Sequence, residues 1–305
     1  MTAPRAAFAA LVAGLALAAA PAPAVADHHD ADLPWPQLLP PMPVTTKVQP
    51  HPVEHCRQVS VRCMDDLLRR LHAQWRRLDA HCDHRALFSL AYIRITKGLR
   101  DDLARRHPRY FTYRRWFIDV IVDFSNRYFA TYRDYAAGRP VPGSWRIAYD
   151  EDMHGDASGG QDVLLASNAH TQHDLPYIYA EMGMRTRGGA SRKHDHDGVN
   201  AVNSRVFDGL EDYYAEHYDP QFKLIDLKPS PLDELGTMEM VKGWREGAWR
   251  NAERLLNAKT PDERRRVEQQ IETTSTVWAD FIRSGDTPGY RATRDAYCRA
   301  QKSHG

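Results

Sequence analysis

The chain has 305 residues, and its 41 lysines and arginines nearly balance its 40 aspartates and glutamates, which leaves a formal net charge of +1 with histidine neutral. Its arginines alternate with acids and apolar residues at helical spacing, as in "RRLHAQWRRLD" and "ERRRVEQQ", and do not form long basic clusters. This pattern argues against nucleic acid or an anionic membrane surface as a partner.

The N-terminus has the pattern of a secretory signal peptide. Arg5 precedes an apolar run over residues 6–20, and a small-residue A-V-A triplet ends at Ala26. The run is too short for a spanning helix, and no later stretch approaches the ~20 apolar residues that a membrane span requires. We therefore expect residues 1–26 to be cleaved and the mature protein to be secreted or periplasmic. An uncleaved N-terminal anchor is the alternative.

Residues 27–58 are predicted to form a proline-rich arm. Seven prolines between Asp27 and Pro52 disfavour helix and favour an extended, polyproline-like conformation. The arm also carries apolar side chains, namely Trp35, Leu38, Leu39 and Met42. Since these are too apolar for a solvated tether, we expect the arm to lie across the surface of the domain. A flexible linker is the alternative.

From residue 59 to residue 305 the periodicity is helical almost throughout, and no convincing alternating strand interrupts it. No internal repeat or mid-chain linker divides this region, so one domain is expected. The prediction is an all-α fold, a single irregular multi-helix bundle with the arm at its N-terminus.

Three features predict where helices begin and end. The aromatic stretch "RYFTYRRWFIDVIVDFSNRYFATYRDYAAG" is expected to be one helix that ends at Gly138. Asp195 or Asp197 can cap a helix that runs to about Tyr218. Thr260, followed by Pro, Asp and Glu, has the pattern of a capping box.

Four cysteines in an exported chain suggest two disulfides. Cys63 and Cys82 lie near opposite ends of the helical segment "VRCMDDLLRRLHAQWRRLDAHC", ~28 Å apart, whereas a disulfide needs Cα atoms ~5.5 Å apart. A bond from Cys56 to Cys82 would stretch the chain between Cys56 and Cys63 close to its ~24 Å limit. The pairs Cys56 with Cys63 and Cys82 with Cys298 remain, and free structural thiols are the alternative.

The segment "SNAHTQHDLP" places several polar residues inside a predicted helix. On a helical projection one polar stripe contains His170, Asp174, Tyr177 and Glu181. Asn168 falls on the apolar side, where its amide needs hydrogen-bond partners. Pro176 removes a backbone donor and predicts a kink one turn beyond His170. The stripe either faces a functional cavity or simply faces water.

A second polar cluster follows a glycine-rich loop. His194, Asp195, His196 and Asp197 alternate imidazole and carboxylate, ligands that suit zinc or manganese. The short connection to the His170 helix can bring the two clusters together. We therefore expect His170, Asp174 and Asp195 to bind a divalent metal, with Asp197 in a catalytic role. A helix cap or a surface loop is the alternative for the second cluster.

Asp119 and Asp123 lie one turn apart on the aromatic helix. If both were buried, their repulsion would raise one pKa and make an acid–base pair, so Asp119 is a further catalytic candidate. With Arg115 and Arg127 a turn to either side, a helix face of salt bridges is the alternative.

A family resemblance rests on several motifs taken together: "PWPQLLPPMP", "LFSLAYIRITKGL", "RPVPGSWRIAY", "NAHTQHDLP", "DHDGVNAVN", "YDPQF", "WREGAWRNAERL" and "RDAYC". With these the chain resembles an uncharacterised bacterial family, domain of unknown function 5995, over nearly all of the mature sequence. The resemblance implies a single, mostly helical domain and a special role for the segment around Asn168, His170 and Asp174. It implies no activity, substrate or cofactor.

Two functions are compatible with these features. The first is a secreted, metal-dependent hydrolase that activates water against an ester or phosphoester, with Asn168 and Tyr177 contacting the substrate. The second is a non-catalytic binding protein whose aromatic-lined cavity holds an apolar or glycan ligand. The sequence contains no G-x-S-x-G, H-E-x-x-H or P-loop pattern, which excludes the simpler enzyme assignments.

Overall fold

The structure, a computed structural model, describes residues 33–44, 60–207, 209–222 and 236–304. Within these ranges the chain is helical, and the only β interaction is an isolated bridge between Arg185 and Ser191. The all-α prediction is therefore confirmed. No helix in the described part of the chain is both long and apolar enough to cross a membrane. The predicted signal peptide and much of the arm lie outside the described residues.

The helices are named here in chain order. They are α1 (Trp35–Leu38), α2 (Val61–Asp79), α3 (Arg85–Leu103), α4 (Arg114–Ala136), α5 (Gly143–His154), α6 (Gly159–Asn168), α7 (Leu175–Met182), α8 (Lys193–Phe207), α9 (Leu210–His217), α10 (Gly236–Asn257), α11 (Pro261–Arg283) and α12 (Tyr290–His304). A π-helical segment, Ala169–Asp174, joins α6 to α7 without a break.

The π segment lies at the centre of the fold. It contacts α4, α5, α10 and α11 in addition to the two helices that it joins. Pro176 lies in the first turn of α7 and has no N–H to continue the α-helical ladder, while the N–H of Leu175 donates to the carbonyl of His170 five residues back. The irregularity predicted at Pro176 therefore takes the form of a wider helical turn that includes His170.

Several local signals act as the sequence predicts. Thr260 caps α11, and its hydroxyl and the Glu263 carboxylate form the reciprocal bonds of a capping box. The aromatic helix α4 ends at Ala136, and Gly138 follows with φ of 65°, a conformation that favours glycine.

Two expectations about the helices are wrong. The helix that contains Asp195 begins at Lys193 and ends at Phe207, and a separate helix, α9, reaches only His217. Asp195 therefore lies inside the first turn of α8 and is not its cap. In the arm, prolines do not prevent helix everywhere, because α1 begins directly after Pro34, with proline tolerated in its first turn.

The described part of the arm lies along α10. Glu239 accepts hydrogen bonds from the backbone N–H of Leu33 and from the indole N–H of Trp35, each at 3.1 Å. The Trp35 ring packs so closely on Gly243 that a Cβ there would lie 2.8 Å from it. Further along, Arg250 donates to the carbonyl of Leu39 at 2.6 Å.

The disulfide between Cys82 and Cys298 is confirmed, with Cα atoms 6.0 Å apart. It ties α12 to the turn after α2. Both cysteines belong to a small apolar cluster that includes Leu87, Tyr214 and Phe222. Cys63 is also disulfide-bonded. Because Cys56 lies outside the described residues, the pair Cys56 with Cys63 stays a prediction.

Candidate functional site

The π segment holds a buried carboxylate between two imidazoles. One oxygen of Asp174, Oδ2, lies 2.9 Å from Nδ1 of His170 and also accepts a hydrogen bond from the Trp145 indole at 2.9 Å. The other oxygen, Oδ1, lies 2.9 Å from Nδ1 of His173. On its far side, Nε2 of His173 lies 3.3 Å from Glu272. The Asp174 carboxylate is therefore fully engaged by protein donors.

The two histidines differ in charge because their partners differ. Burial lowers the pKa of His170, and the hydrogen bond that its Nδ1 donates to Asp174 offsets this only in part. Burial also acts to lower the pKa of His173, but the bonds with Asp174 and Glu272 outweigh it and raise that pKa to about 9. Burial acts to raise the pKa of Asp174, but the bonds from both imidazoles hold it well below its usual range.

These states fix the hydrogen-bond roles of His170. A neutral imidazole next to a carboxylate donates from the nitrogen that faces it, so Nδ1 carries the proton and Nε2 carries a lone pair. Nε2 of His170 is buried and has no hydrogen-bond partner among the described residues. A buried, unpaired nitrogen costs free energy, so it marks a place where a ligand or water can bind.

Aromatic rings surround His170. Phe124 lies parallel to the imidazole, with ring centroids 3.4 Å apart and an interplanar angle of 3°. Tyr92 and Trp145 contact the same ring edge-on, with centroids at 5.1 and 5.7 Å. This packing holds the imidazole in one orientation and excludes bulk water from its faces.

A cavity of about 90 Å³ lies beside His170. Most of its wall is aromatic or aliphatic. The apolar side chains include Phe88, Leu99, Phe117, Ile121, Val199 and Val241, and the polar residues are Tyr92, Ser167, His170, Thr171, Tyr179, Asn203 and Arg245. Two of the polar residues have a buried atom with no protein partner among the described residues, Nε2 of His170 and Oδ1 of Asn203. The cavity therefore suits a small molecule that is mainly apolar but carries polar groups.

The two predicted substrate-binding residues lie outside this cavity lining. Asn168 is fully buried, donates to the carbonyl of Ser275 at 2.8 Å and accepts from Gln172 at 2.7 Å. Its amide therefore links the residue directly before the π segment to α11. Tyr177 packs against the His173 ring, with centroids 5.5 Å apart. The structure gives both residues contacts that position the π segment.

The structure does not bring His170, Asp174 and Asp195 together as one set of metal ligands within the described residues. Asp195 accepts hydrogen bonds from the backbone N–H groups of Thr112 and Tyr113, at 2.8 and 2.7 Å. It thereby binds the backbone of the two residues that precede α4, the helix that carries Phe124.

A different group in the described residues has the spacing for a metal, namely His196, Asp197 and Glu246, whose ligand atoms lie within 4.8 Å of one another. The ammonium of Lys193 contacts both carboxylates of this group and lies 2.6 Å from Glu246. Burial first, and then the charges of Arg245, Lys193 and Arg250, hold the pKa of His196 well below its ordinary value. Lys193 thus already supplies the positive charge between these carboxylates, and it would have to move for a divalent ion to bind.

The two predicted catalytic aspartates do not line the cavity. Burial raises the pKa of Asp119 to about 6 against the opposing charge of Arg115, as expected for a half-buried carboxyl. Its neighbour Asp123 lies 3.7 Å from Arg127, so the helix face does contain a salt bridge. Asp197 has 47% of its side chain exposed and pairs with Lys193.

Four residues of the site come from distant parts of the chain: Phe124, Trp145, Asn203 and Arg245. Nothing in their local sequence distinguishes them from ordinary residues of a helix face. Trp145 is the partial exception, because an indole that follows the helix stop "RPVPGSW" and becomes buried needs an acceptor for its N–H.

The fold and the site define an all-α domain with a buried histidine–aspartate pair beside an apolar cavity. The chain belongs to a family of unknown function, DUF5995, whose signature matches residues 64–285. No curated protein and no solved structure matches the chain.

Proposed function

We propose that the protein is an enzyme that binds a small, mainly apolar substrate in the cavity and uses Nε2 of His170 as a general base. The observation that carries the proposal is the buried Nε2, which has no protein partner within the described residues while Nδ1 is held by Asp174. A general base must be uncharged, oriented and within reach of the substrate, and these contacts meet the first two requirements.

The reaction that fits this arrangement is hydrolysis of an ester. Nε2 takes a proton from a water molecule, the water oxygen forms a bond to the ester carbonyl carbon, and the alkoxide leaves with a proton returned from the imidazolium. Asp174 stabilises the imidazolium that forms between these steps, and the Trp145 indole holds the carboxylate in place.

A divalent metal on His170 and Asp174 fits the geometry less well. Both oxygens of Asp174 are occupied by imidazole and indole nitrogens, and Nδ1 of His170 is used in the same contact. Only Nε2 of His170 is free to bind a metal, and a metal site in a protein needs three or four ligands. The proposed step therefore uses the imidazole itself.

A non-catalytic binding protein is the second candidate, and one observation favours an apolar ligand for it. Two hydroxyls on the cavity wall already have protein partners, Tyr92 with Ser125 at 2.7 Å and Tyr179 with His196 at 2.8 Å. A wall with few free polar groups binds an apolar ligand better than a glycan.

Hydrolysis of ethyl butanoate, followed by titration of the released acid, tests the proposal. We expect His170→Gln to lower kcat/KM by ~10²- to 10⁴-fold, the usual contribution of a general base. The matched control is His84→Gln, since His84 is also buried beside carboxylates, Asp162 and Asp295, but does not line the cavity. Equal rates for the wild type and His170→Gln would contradict the general-base role of His170 and leave the non-catalytic binding protein as the remaining candidate.

We also propose that the mature protein is exported after cleavage at Ala26. The disulfide between Cys82 and Cys298 supports this, because disulfides persist mainly in oxidising compartments. Sequencing the N-terminus of protein recovered outside the cytoplasm should give Asp27 as the first residue. An intact N-terminus in that fraction would contradict cleavage.

A further inference from the structure

We infer that the substrate of this site carries a carboxylate, which Arg245 binds at the cavity wall. The inference rests on the proposed function, since it names the chemical class of molecule on which His170 acts.

Arg245 is a buried cation without an acidic partner. Its residue surface is 6% exposed, it lines the same cavity as His170, and no carboxylate of the described residues lies within ion-pair distance of it. Its Nε donates to the side-chain oxygen of Asn200 at 2.7 Å, and Nη2 donates to the carbonyl of His196 at 2.6 Å. These neutral acceptors orient the guanidinium but do not neutralise its charge.

The other strongly buried arginines of α10 and α12 differ from Arg245 in having acidic partners. Arg250 contacts Glu246 at 2.5 Å and Glu253 at 2.9 Å. Arg294 contacts Asp162 at 2.7 Å and Asp219 at 3.2 Å. Each of these cations is paired with two carboxylates, which is the usual condition for a charge removed from water. Arg245 has none, although it is buried to the same degree.

The surrounding charges do not supply the missing anion. Glu246 pairs with Lys193 and Arg250, and Asp197 pairs with Lys193, so the nearest carboxylates are already neutralised. His196 is neutral and accepts at Nδ1, because burial and the neighbouring cations hold its pKa well below its ordinary value. An anion that enters the cavity therefore meets a net positive wall at Arg245.

The guanidinium also keeps donors available. Nε and Nη2 make the bonds to Asn200 and His196, and the Tyr179 hydroxyl is a further neutral partner of the guanidinium. A guanidinium has five N–H donors, so these three contacts do not use all of them. A carboxylate matches the planar array of N–H groups on a guanidinium.

The rest of the cavity defines the rest of the ligand. Its wall near α8 and α10 is aliphatic, with Val199 and Val241, and its wall from α4 is aromatic. One water requires ~10–15 Å³, so a cavity of about 90 Å³ has room for a ligand larger than water but still small. The ligand class is thus a short-chain or single-ring monocarboxylate, which as the substrate also carries the ester group on which His170 acts.

The test is calorimetric titration of the full-length protein with hexanoate and with hexanamide, which has the same shape but no charge. We expect hexanoate to bind at least about tenfold more tightly, the effect of a hydrogen bond to a charged group. Arg245→Gln should abolish this preference, and Arg245→Lys should keep part of it. Arg205→Gln changes the net charge equally at an exposed position outside the cavity, so it should leave the preference unchanged.

Equal binding of hexanoate and hexanamide to the wild type, or no binding of either, would overturn the inference. So would a preference for hexanoate that persists in Arg245→Gln. The comparison of the two ligands on the wild type decides the matter even if Arg245→Gln does not fold. His170→Gln should still bind hexanoate while losing ester hydrolysis, so failure of the carboxylate site and failure of the general base give different results.

Discussion

Phe124 lies flat on the imidazole of His170, with the two ring centroids 3.4 Å apart and the planes 3° from parallel. The contact joins α4 to the π segment and leaves one face of His170 without water. An imidazolium is poorly solvated there, and burial accordingly lowers the pKa of His170. The same contact restricts rotation of the ring, which Asp174 alone would leave free. Phe124 and Asp174 together therefore fix the direction in which Nε2 points.

The protonation state of His170 is the first prediction. Because its pKa lies below the ordinary value of 6.5, we expect the ring to be neutral and protonated on Nδ1 at pH 6.5. Nitrogen NMR of histidine-labelled protein distinguishes this tautomer from the imidazolium. Phe124→Ala should move the pKa of His170 upward, since water reaches the ring. An unchanged titration of His170 in that variant would show that the ring contact with Phe124 does not contribute to the lowered pKa.

Asp174→Asn should be strongly destabilising. The change removes the anion between a buried and a half-buried imidazole and leaves His173 with Glu272 as its remaining acidic partner. Loss of one member of a buried charged pair costs about 3 to 5 kcal/mol in the free energy of unfolding, measured by urea denaturation. The control is Asp101→Asn, which breaks an exposed pair with Lys97 of the same i, i+4 spacing and should cost within about 0.5 kcal/mol.

Stability should fall as the pH rises past neutrality. His173 has a pKa of about 9 in the folded protein against 6.5 in the unfolded chain, so its contribution is complete below pH 6.5 and is lost as the pH rises through 9. The shift corresponds to about 3 kcal/mol between pH 6.5 and 9.5. Urea unfolding across that range should show this loss in the wild type. His173→Gln should lack it, and parallel curves would contradict the assignment.

Asn168→Leu should lower stability without any ligand present. Leucine fills the space but leaves the carbonyl of Ser275 and the amide of Gln172 unpaired, each at a cost of ~1–3 kcal/mol. We expect a total loss of about 2 to 4 kcal/mol in urea unfolding. Asn126→Leu, at a half-buried position where the amide accepts from Arg70 at 3.3 Å, should change stability by about 0.5 kcal/mol or less.

The disulfide between Cys82 and Cys298 should contribute substantially to stability. It links residues 216 positions apart, and removal of a native disulfide typically costs about 2 to 5 kcal/mol. The double variant Cys82→Ser with Cys298→Ser should show this loss in urea unfolding. Peptide mapping without reduction should recover Cys82 with Cys298 and Cys63 with Cys56. A peptide that links Cys63 to Cys82 would contradict both pairs.

The sequence by itself determines that the chain is helical, that Thr260 forms a capping box and that Cys82 can pair with Cys298, because each depends on local spacing or on simple limits of chain length. It also determines that His170 and Asp174 can meet, since they are one turn apart on one helix. Only the tertiary structure decides that Asp195 binds the backbone just before α4 and that Phe124, Trp145 and Arg245 reach the same centre. These contacts join segments far apart in the chain. They form only when several helices pack together, and the apolar face of each helix alone has little specificity for its neighbour. Helical periodicity fixes which face of each helix is buried, but it does not fix which other helix covers that face.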